Sequence, residues 1–287
     1  MHTDGVGSKV LIAQEMGKFD TVGIDCVAVT VNDLVCLGSE PVALLDYIAL
    51  EQEDDALVGE LAKGLVEGAR TASVAIVGGE TAILGDMTKG IKGRGFDLVS
   101  MGVGLVKTDS IIDGSAIVEG DRILGVASSG LHSNGFTLAR KVLRKHSLRE
   151  NVGELGSNIG SALLVPTSIY VKPVLEAARK AELHGIAHIT GGAFSKLVRL
   201  VGDGRLMFDI VLPPPPAIFG YLSREGDVSE REMYRTFNMG VGMCLCLPES
   251  EMAKVGRIFR SAGFSTFPLG TVMRGRGVRV NGLNVSL

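Results

Sequence analysis

The chain has 287 residues, of which 46% are hydrophobic and 21% charged, enough for one large domain or two of ordinary size. The net charge of −3 argues against a nucleic-acid partner, and aromatic residues, at 5% with no Trp, are too few for base-stacking platforms. No uncharged apolar run reaches the about 18 residues that a membrane-spanning helix needs. Four cysteines without a C-x-x-C pair, and no signal peptide, predict a cytoplasmic protein with reduced thiols and no membrane partner.

The chain opens with a stretch, His2–Lys9, that combines an acid, two glycines, a hydroxyl and a lysine. The carboxylate of Asp4 suits a hard cation, and Gly5 and Gly7 allow close backbone approach. Lys9 is suited to a phosphate oxygen. This composition predicts a loop that binds metal and phosphate.

A helix is predicted over Cys26–Leu37, with Asp25 capping its start and Gly38 closing its end. Asp25 and Asn32 are seven residues apart, which places them within about 20° of one helix face. Asp33, also on this helix, is surrounded by apolar residues and is hard to explain as an ordinary solvated acid.

Further elements follow from apolar periodicity and from Gly and Pro breaks. A polar, turn-rich segment, Lys107–Asp121, predicts a boundary between domains 1–108 and 109–287. The predicted strands are Ser73–Val77, Asp97–Val106, Arg122–Ala127, Gly185–Ile189 and Val241–Leu247, and the helices are Asp55–Ala72, Phe136–Lys145, Phe194–Leu200, Ala217–Arg224 (after Pro213–Pro216) and Met252–Ala262. The tail from Gly275 is predicted to be peripheral.

The 39 glycines are about twice the average usage, and many fall where a strand ends. A strand followed by a Gly/Ser turn is predicted at Ile76–Thr81, Val126–Gly135 and His188–Phe194. Such turns can present backbone N–H groups to anions. Three of them, with the opening loop, predict more than one phosphate-bearing ligand, although neither a Walker loop nor a dinucleotide fingerprint is present.

Three carboxylates, Asp4, Asp33 and Glu80, stand beside glycine turns or on a polar helix face and suit Mg²⁺. His132 lies among hydroxyls and an amide, which favours a ligand hydrogen bond or proton transfer. His184 and His188 have the spacing of a helical zinc site, but the sequence around Gly185 favours a strand, so zinc is not predicted.

Together, several segments resemble phosphoribosylformylglycinamidine cyclo-ligase, the aminoimidazole ribonucleotide synthetase of purine biosynthesis. The segments are His2–Lys9, Gly23–Pro41, Val77–Ala82 (VGGETA), Ser128–Gly135 (SSGLHSNG), Ala187–Gly192 (AHITGG) and Glu232–Gly242 (EMYRTFNMGVG). The resemblance implies an α/β (α+β) fold of two domains: an N-terminal domain that pairs with its twin in a dimeric β-barrel, and a C-terminal α/β domain. It also implies Mg-ATP in a cleft between the domains and formylglycinamidine ribonucleotide as the substrate.

The resemblance assigns roles residue by residue. Asp4, Asp33 and Glu80 would bind Mg²⁺, and Lys9 a phosphate. Gly5, Gly7, Asp25, Asn32, Gly78, Gly79 and Thr81 would lie with these acids around ATP, and Ser128, Ser129, Gly130, Ser133, Asn134, Thr190, Gly191 and Gly192 would face the substrate. His132 and His188 are the acid/base candidates.

Two departures from the family pattern leave alternatives open. The family usually has a segment before the TDGVG loop, and its absence predicts weaker ATP binding or an inactive nucleotide-binding dimeric remnant. Ala193 replaces a third glycine, and Ala does not enter positive φ cheaply. A sister enzyme of the superfamily is the other alternative: formylglycinamidine synthetase, thiamine-phosphate kinase, selenophosphate synthetase or the hydrogenase-maturation dehydratase.

Overall fold

Two β-sheets organise the structure, a computed structural model that describes residues 1–202 and 204–286. The first half contains, in chain order, β1 His2–Gly5, α1 Lys9–Met16, α2 Asp20–Val35, β2 Glu40–Leu50, α3 Asp55–Ala72, β3 Ala75–Ile83 and β4 Phe96–Leu105. Its strands form one sheet in the order β1-β4-β2-β3, in which β2 and β3 are parallel and the other pairs antiparallel.

Helices α2 and α3 cross at glycines and cover one face of this sheet. The backbones approach so closely that a Cβ atom built on Gly64 of α3 would lie 2.8 Å from Cα of Gly23 on α2. The predicted helix Asp55–Ala72 is confirmed at both ends, and Asp54 caps it by accepting a hydrogen bond from the N–H of Leu57. Its apolar stripe of Leu57, Leu61, Leu65 and Ala69 is buried, because it faces α2 and the sheet.

The second half is built on a seven-stranded sheet in the order β13-β12-β9-β11-β5-β10-β8. Its elements are β5 Arg122–Ala127, α4 Phe136–Val142, β6 Asn151–Val152, β7 Ser157–Asn158, α5 Ile159–Leu163, α6 Val171–Lys180, β8 Gly185–His188, a 3₁₀ helix Ala193–Leu200, β9 Leu206–Ile210, α7 Ala217–Gly226, α8 Glu230–Thr236, β10 Val241–Leu247, α9 Met252–Ser261, β11 Thr266–Arg274, β12 Gly277–Val280 and β13 Leu283–Asn284. The fold is therefore mixed α/β, as predicted. The boundary predicted at residues 108–109 lies in the connection between β4 and β5.

Four predictions about individual elements are wrong. The opening stretch is not one loop, because His2–Gly5 forms strand β1 and Lys9 begins α1. Residues Gly78–Thr81 do not form a turn, because they continue strand β3 along β2. Helix α2 begins at Asp20, so Asp25 lies inside the helix and does not cap it. The tail from Gly275 is not peripheral, because β12 pairs with β9 and buries Val278 and Val280.

The two sheets approach each other through α2. Strand β1 is an edge strand of the first sheet, β8 is an edge strand of the second, and both contact α2. Side chains of β1, α2 and β8 therefore meet between the two halves. Within residues 1–202 and 204–286, every helix is too short or too polar to cross a bilayer.

Candidate active site between the two halves

Asp33, on α2, contacts one histidine from each half of the chain. Its Oδ1 atom lies 2.7 Å from Nδ1 of His188 on β8, and its Oδ2 atom lies 3.2 Å from Nε2 of His2 on β1. Burial acts to raise the pKa of Asp33, but the hydrogen bond from His188 and the nearby positive charges outweigh it and lower the pKa. Asp33 is therefore an ionised carboxylate at the junction.

A candidate metal site surrounds this carboxylate. One ligand atom each from His2, Asp4 and Asp33 lie within 4.8 Å of one another. Nε2 of His2 is buried and, apart from its 3.2 Å contact with Asp33, has no hydrogen-bond partner among the described residues. Two carboxylates and an imidazole are donors that fit a divalent cation. Asp4 and Asp33, which the sequence assigned to Mg²⁺, therefore do lie together.

Glu80, the third predicted metal ligand, lies apart from them. It is on β3, three strand spacings from β1, a distance of about 14 Å across the sheet. It pairs in register with Tyr47, which the alternation of β2 places on the face away from α2. Its carboxylate is exposed and accepts a hydrogen bond from the N–H of Thr81. The strand order thus separates acids that the sequence grouped together.

Asp46 is an acid that was not predicted as a site residue, and the alternation of β2 places it on the opposite face, towards α2. It is in register with Ser100 of β4, which is in register with Asp4, so the three residues form one row across the sheet. Next in the row is Gly79, where an added Cβ would meet the Asp46 carboxylate at 2.7 Å. Burial raises the pKa of Asp46. Its only sequence signal is an acid in an otherwise apolar strand.

Lys9 is placed differently from its predicted role. Its side chain is fully buried, and Nζ donates to the carbonyls of His132 and Val165, each at 2.9 Å. The same nitrogen forms an ion pair with Oδ2 of Asp25 at 2.7 Å. The ammonium is buried, donates to two carbonyls and has its charge paired with Asp25, which leaves no position for a phosphate.

Asp25 and Asn32 share one face of α2, as their spacing predicted, but that face binds protein. Oδ1 of Asp25 accepts hydrogen bonds from the N–H and hydroxyl of Thr167, at 2.7 and 2.6 Å. Asn32 donates to the carbonyl of Ser168 and accepts from the N–H of Tyr170. Both side chains are completely buried. They therefore fix the segment 167–170 of the second half against the first.

His132 is buried and neutral. Burial, together with the charges of His188 and Lys9, lowers its pKa well below the usual 6.5. Its Nε2 accepts a hydrogen bond from the N–H of Ser129 at 3.3 Å, so the hydrogen-bond pattern assigns its proton to Nδ1. That Nδ1 has no partner among the described residues. His132 therefore offers an uncharged N–H donor.

His188 offers the complementary group. Because Nδ1 faces the Asp33 carboxylate, it carries a proton, and Nε2 is the atom left to react. This Nε2 is also buried and makes no hydrogen bond within the described part of the chain. The rings of His132 and His188 are 6.1 Å apart. Two histidines predicted as acid/base candidates are thus neighbours, and each has one ring nitrogen held by a hydrogen bond and the other without a partner among the described residues.

The predicted substrate loops surround these rings. Asn238, another residue the sequence analysis did not assign, accepts from the Ser128 hydroxyl and the Gly240 N–H and donates to the Gly130 carbonyl. The hydroxyl of Ser129 donates to the Pro166 carbonyl, and that of Ser133 contacts the Thr167 hydroxyl. The Asn134 side chain lies against Gly191 in the second loop. These contacts join the loops 128–134 and 190–192 into one surface.

A cleft of about 350 Å³ opens beside this surface, lined by His2, Asp33, His188, Thr190 and Lys196 among others. Lys196, which the sequence analysis did not assign, packs along Gly192. Its charge contributes to lowering the pKa of Asp33. A lysine four residues after a Gly-Gly turn was its only signal. Lys196 therefore supplies the partly exposed positive charge that Lys9 does not.

Comparison with known proteins assigns the chain to a family. Models of the AIR synthase related protein family match residues 1–106 (N-terminal domain) and 118–282 (C-terminal domain). A phosphoribosylformylglycinamidine cyclo-ligase from Thermococcus kodakarensis is 46% identical over 99% of this chain and 82% of its own length. The chain belongs to the phosphoribosylformylglycinamidine cyclo-ligase family. A second cyclo-ligase, from Thermococcus gammatolerans, is 43% identical over 100% of this chain and 83% of its own length.

Solved structures support the cyclo-ligase fold more broadly. The thiamine-monophosphate kinase of Stenotrophomonas maltophilia superposes with a TM-score of 0.71 over 99% of this chain and 84% of its own. Its sequence identity is 17%, so this likeness concerns the fold alone. The sister-enzyme alternative is therefore set aside in favour of the cyclo-ligase family, whose members match far more closely in sequence.

Proposed function

We propose that this chain catalyses ATP-dependent closure of the imidazole ring of formylglycinamidine ribonucleotide, a step of purine biosynthesis. The products are aminoimidazole ribonucleotide, ADP and phosphate. Family membership supports the reaction class. The observation that supports its location is the contact between Asp33 and His188 beside Asp4 and His2 in the cleft. Phosphoryl transfer depends on positioning and on charge stabilisation, and this cleft offers both acids and a cation for that purpose.

We assign Mg²⁺ to Asp4 and Asp33, with His2 beside them, because their donor atoms fit a divalent cation. When bound there, the ion would neutralise charge on the ATP phosphates. Lys196 adds fixed positive charge in the same cleft. We keep Lys9, Asp25 and Asn32 out of this ligand set, since their polar atoms bind protein groups.

The proposed reaction has two bond-forming steps. In the first, the formamide oxygen takes the γ-phosphoryl group of ATP, and ADP leaves. In the second, the neighbouring nitrogen attacks the activated carbon, the C–O bond breaks to release phosphate, and the nitrogen loses a proton. We assign that proton to Nε2 of His188, because Nδ1 already donates to Asp33. The Asp33 carboxylate would stabilise the resulting imidazolium.

His132 is assigned the role of a hydrogen-bond donor that stabilises developing negative charge. Its Nδ1–H is an uncharged donor in a buried setting, suited to an oxygen that gains negative charge during the reaction. The loops 128–134 and 190–192 would hold the ribonucleotide against both histidines. They meet at Asn134 and Gly191.

We also infer that the chain forms a homodimer through the outer face of the first sheet. Leu45 and Tyr47 on that face are 37% and 38% exposed, and the residues they pair with are Met101 and Val99. A contiguous apolar face of this kind is typical of an interface between subunits. The second copy would cover it, in keeping with the dimeric barrel that the resemblance implies.

The test of the reaction measures ADP release from Mg-ATP with and without formylglycinamidine ribonucleotide. We expect release to depend on the ribonucleotide. Hydrolysis at the same rate without it, or no hydrolysis under either condition, would overturn the proposal.

A further inference from the structure

We propose that Lys9 is a positioning residue that fixes the backbone of His132 across the junction of the two halves. The kinetic test of this inference rests on the proposed function, whereas its structural test rests on geometry alone. It gives a role to a buried charge that the proposed mechanism leaves unused.

The ammonium of Lys9 joins three segments that are distant in the chain. Lys9 is the first residue of α1. Its ammonium donates at 2.9 Å to the carbonyl of His132, 123 residues away, and at 2.9 Å to the carbonyl of Val165, 156 residues away. The Lys9 side chain is 0% exposed, and the ring of Phe136 lies 5.5 Å from Nζ. These partners enclose the charge and fix its position.

The carbonyl that Lys9 binds belongs to a residue in an unfavourable conformation. His132 has φ of +62°, in the left-handed region that residues with a Cβ rarely adopt. Such a conformation persists only where surrounding contacts determine it. A charge-assisted hydrogen bond to the His132 carbonyl is a contact of that kind. The conformation in turn directs the imidazole of His132 towards His188.

Asp25 provides a second connection to the same loop. Its Oδ2 pairs with Lys9 at 2.7 Å, and its Oδ1 accepts from both donors of Thr167. Since the Thr167 hydroxyl donates to Asp25, the Ser133 hydroxyl must donate to Thr167, at 2.9 Å. One carboxylate of the first half therefore holds two adjacent residues of the loop, His132 through Lys9 and Ser133 through Thr167.

The kinetic test is a double-mutant cycle between Lys9→Met and His132→Ala. If Lys9 acts through His132, we expect Lys9→Met to lower kcat at least about tenfold, with the KM for ATP unchanged. In the His132→Ala background the same change should then have little further effect. A raised KM for ATP with normal kcat would mean that Lys9 binds phosphate, and multiplicative losses would mean that it acts independently; either result would overturn the proposal.

Two further variants keep this test interpretable. Lys9→Met leaves the Asp25 carboxylate buried without its cation, which is strongly destabilising. The double variant Lys9→Met/Asp25→Asn removes both charges. We expect the double variant to fold and to show the same loss of kcat. Lys18→Met is the matched control, because it breaks an exposed Lys–Asp pair, with Asp20, in the same part of the chain. Its kcat should equal that of the unaltered protein.

The structural test does not depend on activity. In long-range ¹H–¹⁵N NMR spectra, we expect His132 of the unaltered protein to show one neutral tautomer, protonated at Nδ1, near pH 7. In the Lys9→Met/Asp25→Asn protein we expect mixed tautomers, because the loop is released and the hydrogen bond to the Ser129 N–H is lost. Unchanged His132 signals would overturn the positioning role. If the unaltered protein lacks cyclo-ligase activity, the proposed function fails, whereas this spectrum still decides the role of Lys9.

Discussion

Oδ1 of Asp33 on α2 lies 2.7 Å from Nδ1 of His188 on β8, and this contact joins the two halves of the chain at the cleft. The His188 side chain is only 1% exposed, so its orientation depends on the contact. The same carboxylate belongs to the candidate metal site with His2 and Asp4. Asp33 therefore links the proposed site of the phosphate-bound cation to the proposed proton acceptor.

We expect Asp33→Asn to lower turnover at least about tenfold while the fold is kept. The amide can still accept the His188 hydrogen bond, but it loses the negative charge that would hold the cation and stabilise an imidazolium. The measurement is the rate of ADP release with formylglycinamidine ribonucleotide, with circular dichroism as a check of folding.

Asp20→Asn is the matched control for this variant. Asp20 lies on the same helix, and its carboxylate pairs with exposed Lys18. Turnover should therefore stay unchanged. A near-normal rate in Asp33→Asn, or an equal loss in both variants, would contradict the role of Asp33.

His184 should make stability depend on pH. Burial acts to lower its pKa, but hydrogen bonds to Asp121 and Glu182, at 2.7 and 3.0 Å, outweigh it and the pKa is raised. Because the pKa of His184 is higher in the folded state, its stabilisation is complete below about pH 6.5, the pKa of histidine in an unfolded chain. The stabilisation is lost as the pH rises through the pKa of His184 in the folded state.

Replacing the imidazole of His184 should reveal this dependence of stability on pH. We expect His184→Gln to lower the free energy of unfolding by about 1 kcal/mol near pH 6. The difference from the unaltered protein should shrink towards pH 9. Urea unfolding at both pH values measures it, with His146→Gln, at a more exposed histidine, as the control. A difference that stays constant or grows with pH would refute the assignment.

The crossing of α2 and α3 predicts opposite effects of one substitution at two glycines of α3. A Cβ at Gly64 would lie 2.8 Å from Cα of Gly23, whereas one at Gly59 meets no described atom within 4 Å. Gly64→Ala should destabilise the protein by about 1–3 kcal/mol. Gly59→Ala should stabilise it by about 0.5–1 kcal/mol through helix propensity. Thermal unfolding distinguishes the two, and equal shifts would show that the helices do not cross there.

The proposed dimer depends on the outer face of the first sheet. Tyr47→Glu places a charge on that face, so light scattering after gel filtration should give one 30.2 kDa chain instead of two. Val66→Glu is the control, because Val66 is 52% exposed on α3 and lies away from the sheet face. A monomeric unaltered protein, or a dimer that survives Tyr47→Glu, would exclude this interface.

The sequence predicted elements whose signals are local. The strands Arg122–Ala127 and Val241–Leu247 and the helix Asp55–Ala72 have the predicted bounds, because apolar periodicity and flanking breaks define them. The common face of Asp25 and Asn32 followed from helix geometry alone. The resemblance named His132 and His188 as acid/base candidates, but their proximity was not predicted, since 56 residues separate them.

Features set by distant contacts could not be predicted in this way. The burial of Lys9 depends on carbonyls 123 and 156 residues away. The separation of Glu80 from Asp4 depends on the strand order β1-β4-β2-β3, and the strand at Gly78–Thr81 on its pairing with β2. Ala193 shows the same limit, because tertiary context holds it at φ of +42° despite its Cβ.

The most direct test of the proposed reaction follows the formamide oxygen. The substrate is formylglycinamidine ribonucleotide labelled with ¹⁸O at that atom, and the products are analysed by mass spectrometry after incubation with Mg-ATP. We predict that the label is recovered in inorganic phosphate, with one labelled phosphate and one ADP for each aminoimidazole ribonucleotide formed. Recovery of the label in water, or ADP released without the ring-closed product, would contradict the proposed cyclo-ligase mechanism.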